Sequence, residues 1–507
     1  MSILSPAIKS ILKLRLSAIQ NFVLNPIDTQ KQVFNDLIGS GQYTVFGKEY
    51  DFENINTFKD FARQVPVNDY DTLKPYIDRI IHGEQNVLWN ENISWFAKSS
   101  GTTSDKSKFI PISPSTLKET HYKSGQDVLA LYLARHPQSQ ITAGKCLAIG
   151  GSHQINQLSE ESSFGDLSAV LMQNMPFIGQ IMRAPELSIA LMDEWEAKLE
   201  AITNSVIDEN ITYMAVVPTW CLVLLKKILE KTGRQSIREV WPNFELYIHG
   251  GVSFAPYRDQ FEEIMSARDV VFMETYNASE GFFAAQDDWD NEGMLLFLNH
   301  GIYYEFMPIS EIGSEQPVTL TLKEVELGVN YALIITSNAG LWRYQIGDTV
   351  QFTSLSPFRI KVSGRVKSFI NAFGEEVIVD NSDNAIKAAC QRTGARVLDY
   401  TAAPVYMSQG ANGAHEWLIE FDHLPVSKEV FITALDEELK AINSDYEAKR
   451  HKDIALRMPL IHQVPRGGFS AWLKSKGKLG GQHKVPRLNN DRKILEEILQ
   501  CLQTAFT

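Results

Sequence analysis

M-A-V-V-P-T-W, Met214 to Trp220, runs straight into C-L-V-L-L-K-K-I-L-E-K, Cys221 to Lys231, and this junction decides the fold. The first piece is short, apolar and closed by a proline, which reads as a buried strand. The second carries apolar residues at helical spacing. Working outward, E-L-Y-I-H-G-G (Glu245 to Gly251) is a strand ending in glycines. R-D-Q-F-E-E-I-M (Arg258 to Met265) is a helix, and V-V-F-M-E-T-Y (Val270 to Tyr276) is a strand again. On the N-terminal side, K-C-L-A-I-G-G (Lys145 to Gly151) is a strand running into a glycine turn. Strands alternating with helices build a parallel sheet with helices on both faces, and ligands sit at the carboxyl ends of its strands. The glycines fall at those ends here.

The pattern changes between Gly293 and Phe352. L-L-F-L, I-Y-Y-E-F, V-T-L-T-L, Y-A-L-I-I-T and D-T-V-Q-F follow one another with turn residues and no helix between them. That predicts antiparallel, barrel-like sheet. Beyond S-G-R-V-K (Ser363 to Lys367) an α+β mixture returns, with helices over 430–442 and 491–504. The predicted class is therefore α/β: a large N-terminal domain of mainly parallel sheet flanked by helices plus a barrel-like part, and a smaller α+β C-terminal domain. The division is placed at 1–370 and 371–507, with a hinge between Lys367 and Val377. Ser5 to Phe34 reads as a packing helix at the start of the chain.

Composition bounds the function. With 507 residues a second, smaller domain is expected. The net charge of −13, from 48 basic and 61 acidic residues, argues against nucleic-acid binding through the bulk field, so an anionic ligand needs a local basic pocket. Cys146, Cys221, Cys390 and Cys501 are far apart and form no C-x-x-C pair, which suits a reducing cytoplasm. Lys9, Lys13 and Arg15 interrupt the apolar runs near the start, so no signal peptide is read, and no stretch is long enough to span a membrane. A cytoplasmic monomer or weak oligomer, with no nucleic-acid or membrane partner, is expected. His415-Glu416 lacks the second histidine of H-E-x-x-H, which removes the zinc-protease reading.

The strongest local signal is S-S-G-T-T-S-D-K-S-K, Ser99 to Lys108. Hydroxyls and backbone N–H groups in such a turn can cradle phosphate oxygens, and its lysines neutralise charge. It is not a Walker A loop, because Asp105 stands where that pattern needs a glycine. Gly250-Gly251 permits close approach of a flat ring. Y-N-A-S-E (Tyr276 to Glu280) offers an aromatic face and a carboxylate for a metal ion. Y-Q-I-G-D (Tyr344 to Asp348) offers an aspartate at a turn for ribose hydroxyls, and S-G-R-V-K adds an arginine and a lysine. Each piece alone has an ordinary structural reading, as a solvated loop, a glycine turn or a charged face. Their order carries the case.

This ordered set resembles the adenylate-forming superfamily, and within it the Gretchen Hagen family of acyl acid amido synthetases, first known as auxin-responsive proteins. The resemblance covers nearly the whole chain. Its second motif usually has a serine where Ala278 stands, and its third usually reads Tyr-Arg, whereas here Arg343 precedes Tyr344. The resemblance implies an ATP-dependent enzyme that makes an acyl-adenylate from a carboxylic acid, releases pyrophosphate, and passes the acyl group to an amine, usually an amino acid. It implies ATP and Mg2+ as cofactors. Ser99, Ser100, Thr102, Thr103 and Lys108 would hold the phosphates. Gly250, Gly251 and Val252 would pack along adenine, opposite Tyr276, Asn277, Ala278 and Ser279. Glu280 would ligate magnesium, and Asp348 would hold the ribose, with Arg365 and Lys367 assisting. G-G-Q-H-K-V-P-R (Gly480 to Arg487) looks like the loop of a mobile C-terminal domain that brings a catalytic lysine, Lys484, to the site.

Two alternatives stand beside that reading: an acyl-CoA ligase, with coenzyme A as acceptor, and a catalytically silent nucleotide-binding protein, whose signature would be loss of Glu280 or Lys484. Tyr122, Met172, Val217, Thr219 and Trp220 are candidates for the acid pocket, each with plain core packing as its competing reading. His249 is a candidate base for the amine, but a structural strand-end histidine is the better reading.

Overall fold

The protein is described by a computed structural model covering residues 5–99, 108–150, 155–192, 194–251, 254, 258–265, 270–291, 293–366, 369–375, 377–407, 412–476 and 485–505. Its N-terminal segment is two helices, Ser5–Leu24 and Pro26–Gly41, where one was expected. Proline lacks an N–H and weakens a helix interior, but it is favoured in the first turn, and Pro26 opens the second helix. Both helices bury one face, with Leu12, Ile19 and Phe22 on the first and Val33, Phe34 and Leu37 on the second.

A small sheet contains β1 (Trp95–Ser99), β2 (Lys108–Ile112), β4 (Asn156–Gln157) and β5 (Ser163–Gly165), in the order β2-β1-β5-β4. The main sheet has eleven described strands. Its parallel half holds β3 (Lys145–Ala148), β6 (Arg183–Ala184), β7 (Ile211–Ala215), β8 (Leu246–Gly250) and β9 (Val271–Ala278), in the order β9-β8-β7-β3-β6. The junction that opened the sequence reading is β7 leading into the helix Pro218–Thr232, with Pro218 at the helix start and Gly233 in the left-handed conformation at its end.

The same sheet continues antiparallel through β10 (Gly281–Ala285), β11 (Met294–Leu296), β12 (Ile302–Pro308), β13 (Asn330–Ser337), β14 (Tyr344–Leu355) and β15 (Phe358–Arg365), in the order β9-β10-β11-β15-β14-β13-β12. The ladder itself is open, but the strands curl. In a flat sheet β9 and β14, four places apart, would lie about 19 Å from each other. Instead the Tyr276 hydroxyl on β9 donates to Asp348 on β14 at 2.7 Å. Likewise a Cβ on Gly281 of β10 would meet Ile302 of β12 at 2.6 Å. The barrel-like expectation therefore describes the curvature, while the hydrogen-bonded ladder runs on into the parallel half. V-T-L-T-L does not form a strand. Only Leu320 bridges, to Phe306 on β12, the last strand of the sheet.

The short pair β16 (Phe369–Ile370) and β17 (Val377–Ile378) leads into the smaller C-terminal domain. Its three-stranded sheet holds β18 (Arg396–Val405), β19 (Ala414–His423) and β20 (Leu460–Val464), accompanied by helices Val379–Thr393, Lys428–Ile442 and Lys493–Ala505. No helix among the described residues is long and apolar enough to cross a membrane.

Candidate functional site

Parallel strands β3, β7, β8 and β9 end side by side, since Ala148 registers with Ala215, Ala215 with Ile248, and Gly250 with Thr275. Their carboxyl ends deliver Gly150, Val217, Gly250 and Asn277 to one rim, where ligands bind in sheets of this type. Gly250 has no room for a side chain. A Cβ there would lie 2.5 Å from the Thr275 carbonyl oxygen and 3.3 Å from Asn277 Oδ1. Gly251 has φ +80°, which disfavours any L side chain, and its Cβ position is 3.8 Å from Val217 Cγ2. The glycine pair thus forms a flat surface beside Val217, with Asn277 alongside.

The curl of the sheet brings the second and third motifs together. Tyr276 and Asp348 are both buried and joined by their 2.7 Å hydrogen bond. Asp348 was expected at a turn, but it lies inside β14. There the ladder is irregular: Ala332 pairs with Thr349 and Ile334 with Gln345, so three residues of β14 face one of β13. Such a bulge re-aims side chains, and Gly347, at φ +96°, supplies the backbone freedom it needs. Asp348 also registers with Arg365 across to β15. Ala278 ends β9, Ser279 sits in the following turn, and Glu280, 8% exposed, precedes β10.

Lys108 opens β2 at the end of the phosphate-loop motif and is buried. Its ammonium donates to the Tyr344 hydroxyl at 3.4 Å and lies 5.8 Å and 6.0 Å from the ring centres of Tyr70 and Tyr344. No carboxylate pairs with it among the described residues. Ser99 closes β1 opposite Lys108. Ser100, Thr102, Thr103, Val252, Lys367 and Lys484 lie outside the described residues. Thr219 and Arg365 are placed by their backbone in the helix after β7 and at the end of β15.

Of the acid-pocket candidates, Tyr122 and Met172 come together. The Tyr122 hydroxyl donates to the Leu171 carbonyl at 2.8 Å, and the buried Met172 sulfur lies 3.4 Å from a Cβ position on Gly150. His249 fits the structural reading. It is 4% exposed and stacks on Phe254 at 4.1 Å, and burial pushes its pKa down to about 3. A neutral imidazole so hard to protonate is a weak base. Arg343 is also structural. It is buried and donates to Glu305 at 2.8 Å and to the carbonyls of Ala62 and Val65, away from the strand-end rim. His415 hydrogen-bonds Glu375 at 2.8 Å, and no cluster of three metal-binding side chains occurs among the described residues. Tyr70 and Tyr344 were missed as site residues. Tyr344 stands in the third motif, while Tyr70 carries no local signal.

Family models match the chain in three consecutive segments: the GH3 family N-terminal domain over residues 15–270, the central domain over 295–365 and the C-terminal domain over 380–493. Among similar proteins, an indole-3-acetic acid-amido synthetase (GH3.3) of Arabidopsis thaliana is 23% identical, covering 97% of this chain and 94% of that one. A 4-substituted benzoates-glutamate ligase (GH3.12) of Arabidopsis thaliana is 22% identical, covering 88% and 90%. The fold matches the GH3.15 acyl acid amido synthetase in complex with 2,4-DB, with a TM-score of 0.63, 17% identity and coverage of 97% and 96%. It also matches a 2-hydroxyisobutyryl-CoA ligase, with a TM-score of 0.59, 13% identity and coverage of 94% and 92%. With the N-terminal model alone spanning half of its length, the chain belongs to the GH3 family of acyl acid amido synthetases.

Proposed function

We propose that this chain joins a carboxylic acid to an amine, an amino acid by preference, in two steps on one site, with ATP as the activating substrate. A carboxylate oxygen attacks the α-phosphorus of ATP, and pyrophosphate leaves. The amine nitrogen then attacks the carbonyl carbon of the acyl-adenylate, AMP leaves, and the amine gives up a proton. The observation that carries this reading is the convergence of the glycine pair, Tyr276, Asp348 and Glu280 at the strand ends.

In this reading Gly250 and Gly251 lie along the adenine, and Asp348, braced by Tyr276, accepts the ribose hydroxyls. Lys108 and the hydroxyl loop from Ser99 to Thr103 draw the phosphates in. A buried ammonium with three N–H donors and a single long hydrogen bond among the described residues is poorly compensated, and an anion would satisfy it. Glu280 is a single buried carboxylate. That suits Mg2+, which binds through one or two carboxylates and takes its remaining oxygens from phosphate and water. When bound, magnesium would neutralise phosphate charge. Lys484 would act in the first step, brought in by a C-terminal domain that begins at 371 and moves about the segment from Lys367 to Val377. Tyr122, Met172 and Val217 would line the acid pocket.

The test is pyrophosphate release over a panel of alkyl and aryl acids, with hydroxylamine as a trap, then with amino acids or coenzyme A as acceptor. Acid-dependent hydroxamate and an amino acid amide are expected. Thioester formation without amide would assign coenzyme A instead, and no hydroxamate with any acid would refute the activation reading.

A further inference from the structure

Three arginines are buried among the described residues: Arg183, Arg343 and Arg450. Two of them are neutralised, Arg343 by Glu305 at 2.8 Å and Arg450 by Asp436 at 2.5 Å. Arg183, 6% exposed, pairs with no carboxylate among the described residues. Its Nε has no hydrogen-bond partner, and one Nη–H donates to the Pro185 carbonyl. A guanidinium has five N–H donors and keeps its charge, so it cannot escape the cost of burial by losing a proton. Such a cation is poorly compensated, and an anion would satisfy it.

The fold says where that anion would lie. Arg183 is on β6, the outermost described strand of the main sheet. It registers with Cys146 on β3, which registers with Tyr213 on β7. Side chains in register share a face of a sheet. Arg183 therefore lies on the face where Tyr213 joins the core that also takes Val170 from the helix Leu167–Gln173. That helix carries Met172, which approaches Gly150 just beyond β3, and its Leu171 carbonyl accepts from the Tyr122 hydroxyl. The bond to Pro185, two residues on, shows the Arg183 side chain running toward the carboxyl end of β6. The strand ends thus present, in spatial order, Gly250 on β8, Val217 after β7, Gly150 after β3 and Arg183 on β6, on strands about 4.8 Å apart. With adenine against the first and the acid beside the second and third, Arg183 meets the end of the acid remote from its reacting carboxyl.

We propose that Arg183 is a specificity residue that binds a second carboxylate on the acid, so that the chain activates a dicarboxylic acid at one end while holding it by the other. This rests on the acid-activation reading above and deepens it by naming the substrate class. The carboxylate of an amino acid acceptor is the other one the reaction offers, and the test separates the two.

The first measurement needs no variant. Pyrophosphate release with hydroxylamine as trap compares acids matched in length: hexanoate with adipate, octanoate with suberate, benzoate with terephthalate. The unsubstituted protein should favour the dicarboxylate of at least one pair by about tenfold in kcat/KM, as for hydrogen bonds to a charged group. Arg183→Met should abolish that preference. KM for the dicarboxylate should rise about tenfold with little change in kcat, because a contact remote from the reacting carboxyl acts on ground state and transition state alike. KM for the monocarboxylate should fall, since an apolar side chain then meets an apolar chain end. Arg183→Lys, which keeps the charge but not the fork, should retain part of the preference. The melting temperature of Arg183→Met should hold or rise, because the buried charge it removes has no carboxylate partner in the fold. Equal losses on both members of a pair, or a marked fall in melting temperature, would make Arg183 structural and overturn the inference. A rise in KM for the amino acid acceptor alone would assign Arg183 to the acceptor and overturn it too. If the unsubstituted protein activated no acid, the activation reading itself would fall. Activation with monocarboxylates preferred throughout would remove only the role of Arg183.

Discussion

Arg343 sits at φ +44°, a backbone setting that costs a residue with a side chain on the order of 1 kcal/mol or more. It is held there by its guanidinium, which donates to Glu305, Val65, Ala62 and Thr319 inside the core. Arg343→Met would leave Glu305, which is 0% exposed, charged and unpaired. We expect a loss of about 3–5 kcal/mol in urea unfolding, mostly recovered by adding Glu305→Leu, because an apolar pair carries no buried charge. If the single variant unfolds at the same urea concentration as the parent, Glu305 is not relying on Arg343. Asp348 is the opposite kind of residue, expected to matter to a ligand more than to the fold. On the proposed reading, Asp348→Ala would remove charge-assisted hydrogen bonds to the ribose, each worth roughly 1.5–3 kcal/mol. ATP affinity should therefore fall by at least about tenfold while the far-ultraviolet dichroism persists. Unchanged calorimetric affinity in a folded variant would take Asp348 out of the site.

Elements place these residues, and how they do so decides what could be read in advance. Strands β3, β7 and β8 were legible because each is a short apolar run closed by glycine or proline, and Gly250-Gly251 could be placed at a strand end for the same reason; β9 showed as an apolar run alone, and the two-residue β6 was too short to read. V-T-L-T-L alternates like a strand, yet the edge of β12 takes only Leu320 from it. Alternation reports a half-buried surface and not a ladder. Ser5 to Phe34 was read as one helix although it contains Pro26, and proline is at home in the first turn of a new helix. The bulge at Ile346–Asp348 and the curl that brings β14 to β9 are long-range, and no local pattern announces them. Neither does Tyr70, which reaches Lys108 from a helix thirty-odd residues upstream. The tight spacing of β8 and β9 gives a test at this scale. Gly250→Ala sets a methyl 2.5 Å from the Thr275 carbonyl oxygen, which as backbone cannot rotate aside. The strands must part, costing about 1–3 kcal/mol of stability. Nucleotide affinity should drop with it, because the flat surface is disturbed. A variant that binds ATP normally would show that adenine does not lie against Gly250.

Across the whole molecule, one apolar core carries Tyr247, Phe254 and Phe261 of the parallel half together with Phe373, Met407 and Trp417 of the C-terminal domain. A second core carries the N-terminal helices and the antiparallel half. Buried among these elements are three histidines kept neutral. Burial pushes His121 down to about 4 and His249 down to about 3, and His300 lies at about 4 even though it hydrogen-bonds Asp127 at 2.9 Å. In the unfolded chain each would take up a proton near its ordinary value of about 6.5. Because these folded values are lowered, the unfolded state binds more protons below about pH 6.5, and stability rises with pH across the window from about 4 to 6.5. The contribution is complete above that window and is lost as the solution is acidified through it. With three such groups the slope approaches about 4 kcal/mol per pH unit near pH 5, in the middle of the window, enough to consume the 5–15 kcal/mol of a typical fold within a few units. His121 isolates the effect, because neither of its ring nitrogens has a hydrogen-bond partner among the described residues. His121→Phe removes the titrating ring while keeping an aromatic of similar size. Relative to the parent, the variant should be about 2 kcal/mol better off at pH 5 than at pH 8, measured by urea unfolding at both values. An identical difference at the two pH values would mean that His121 is protonated in the fold as readily as in the unfolded chain.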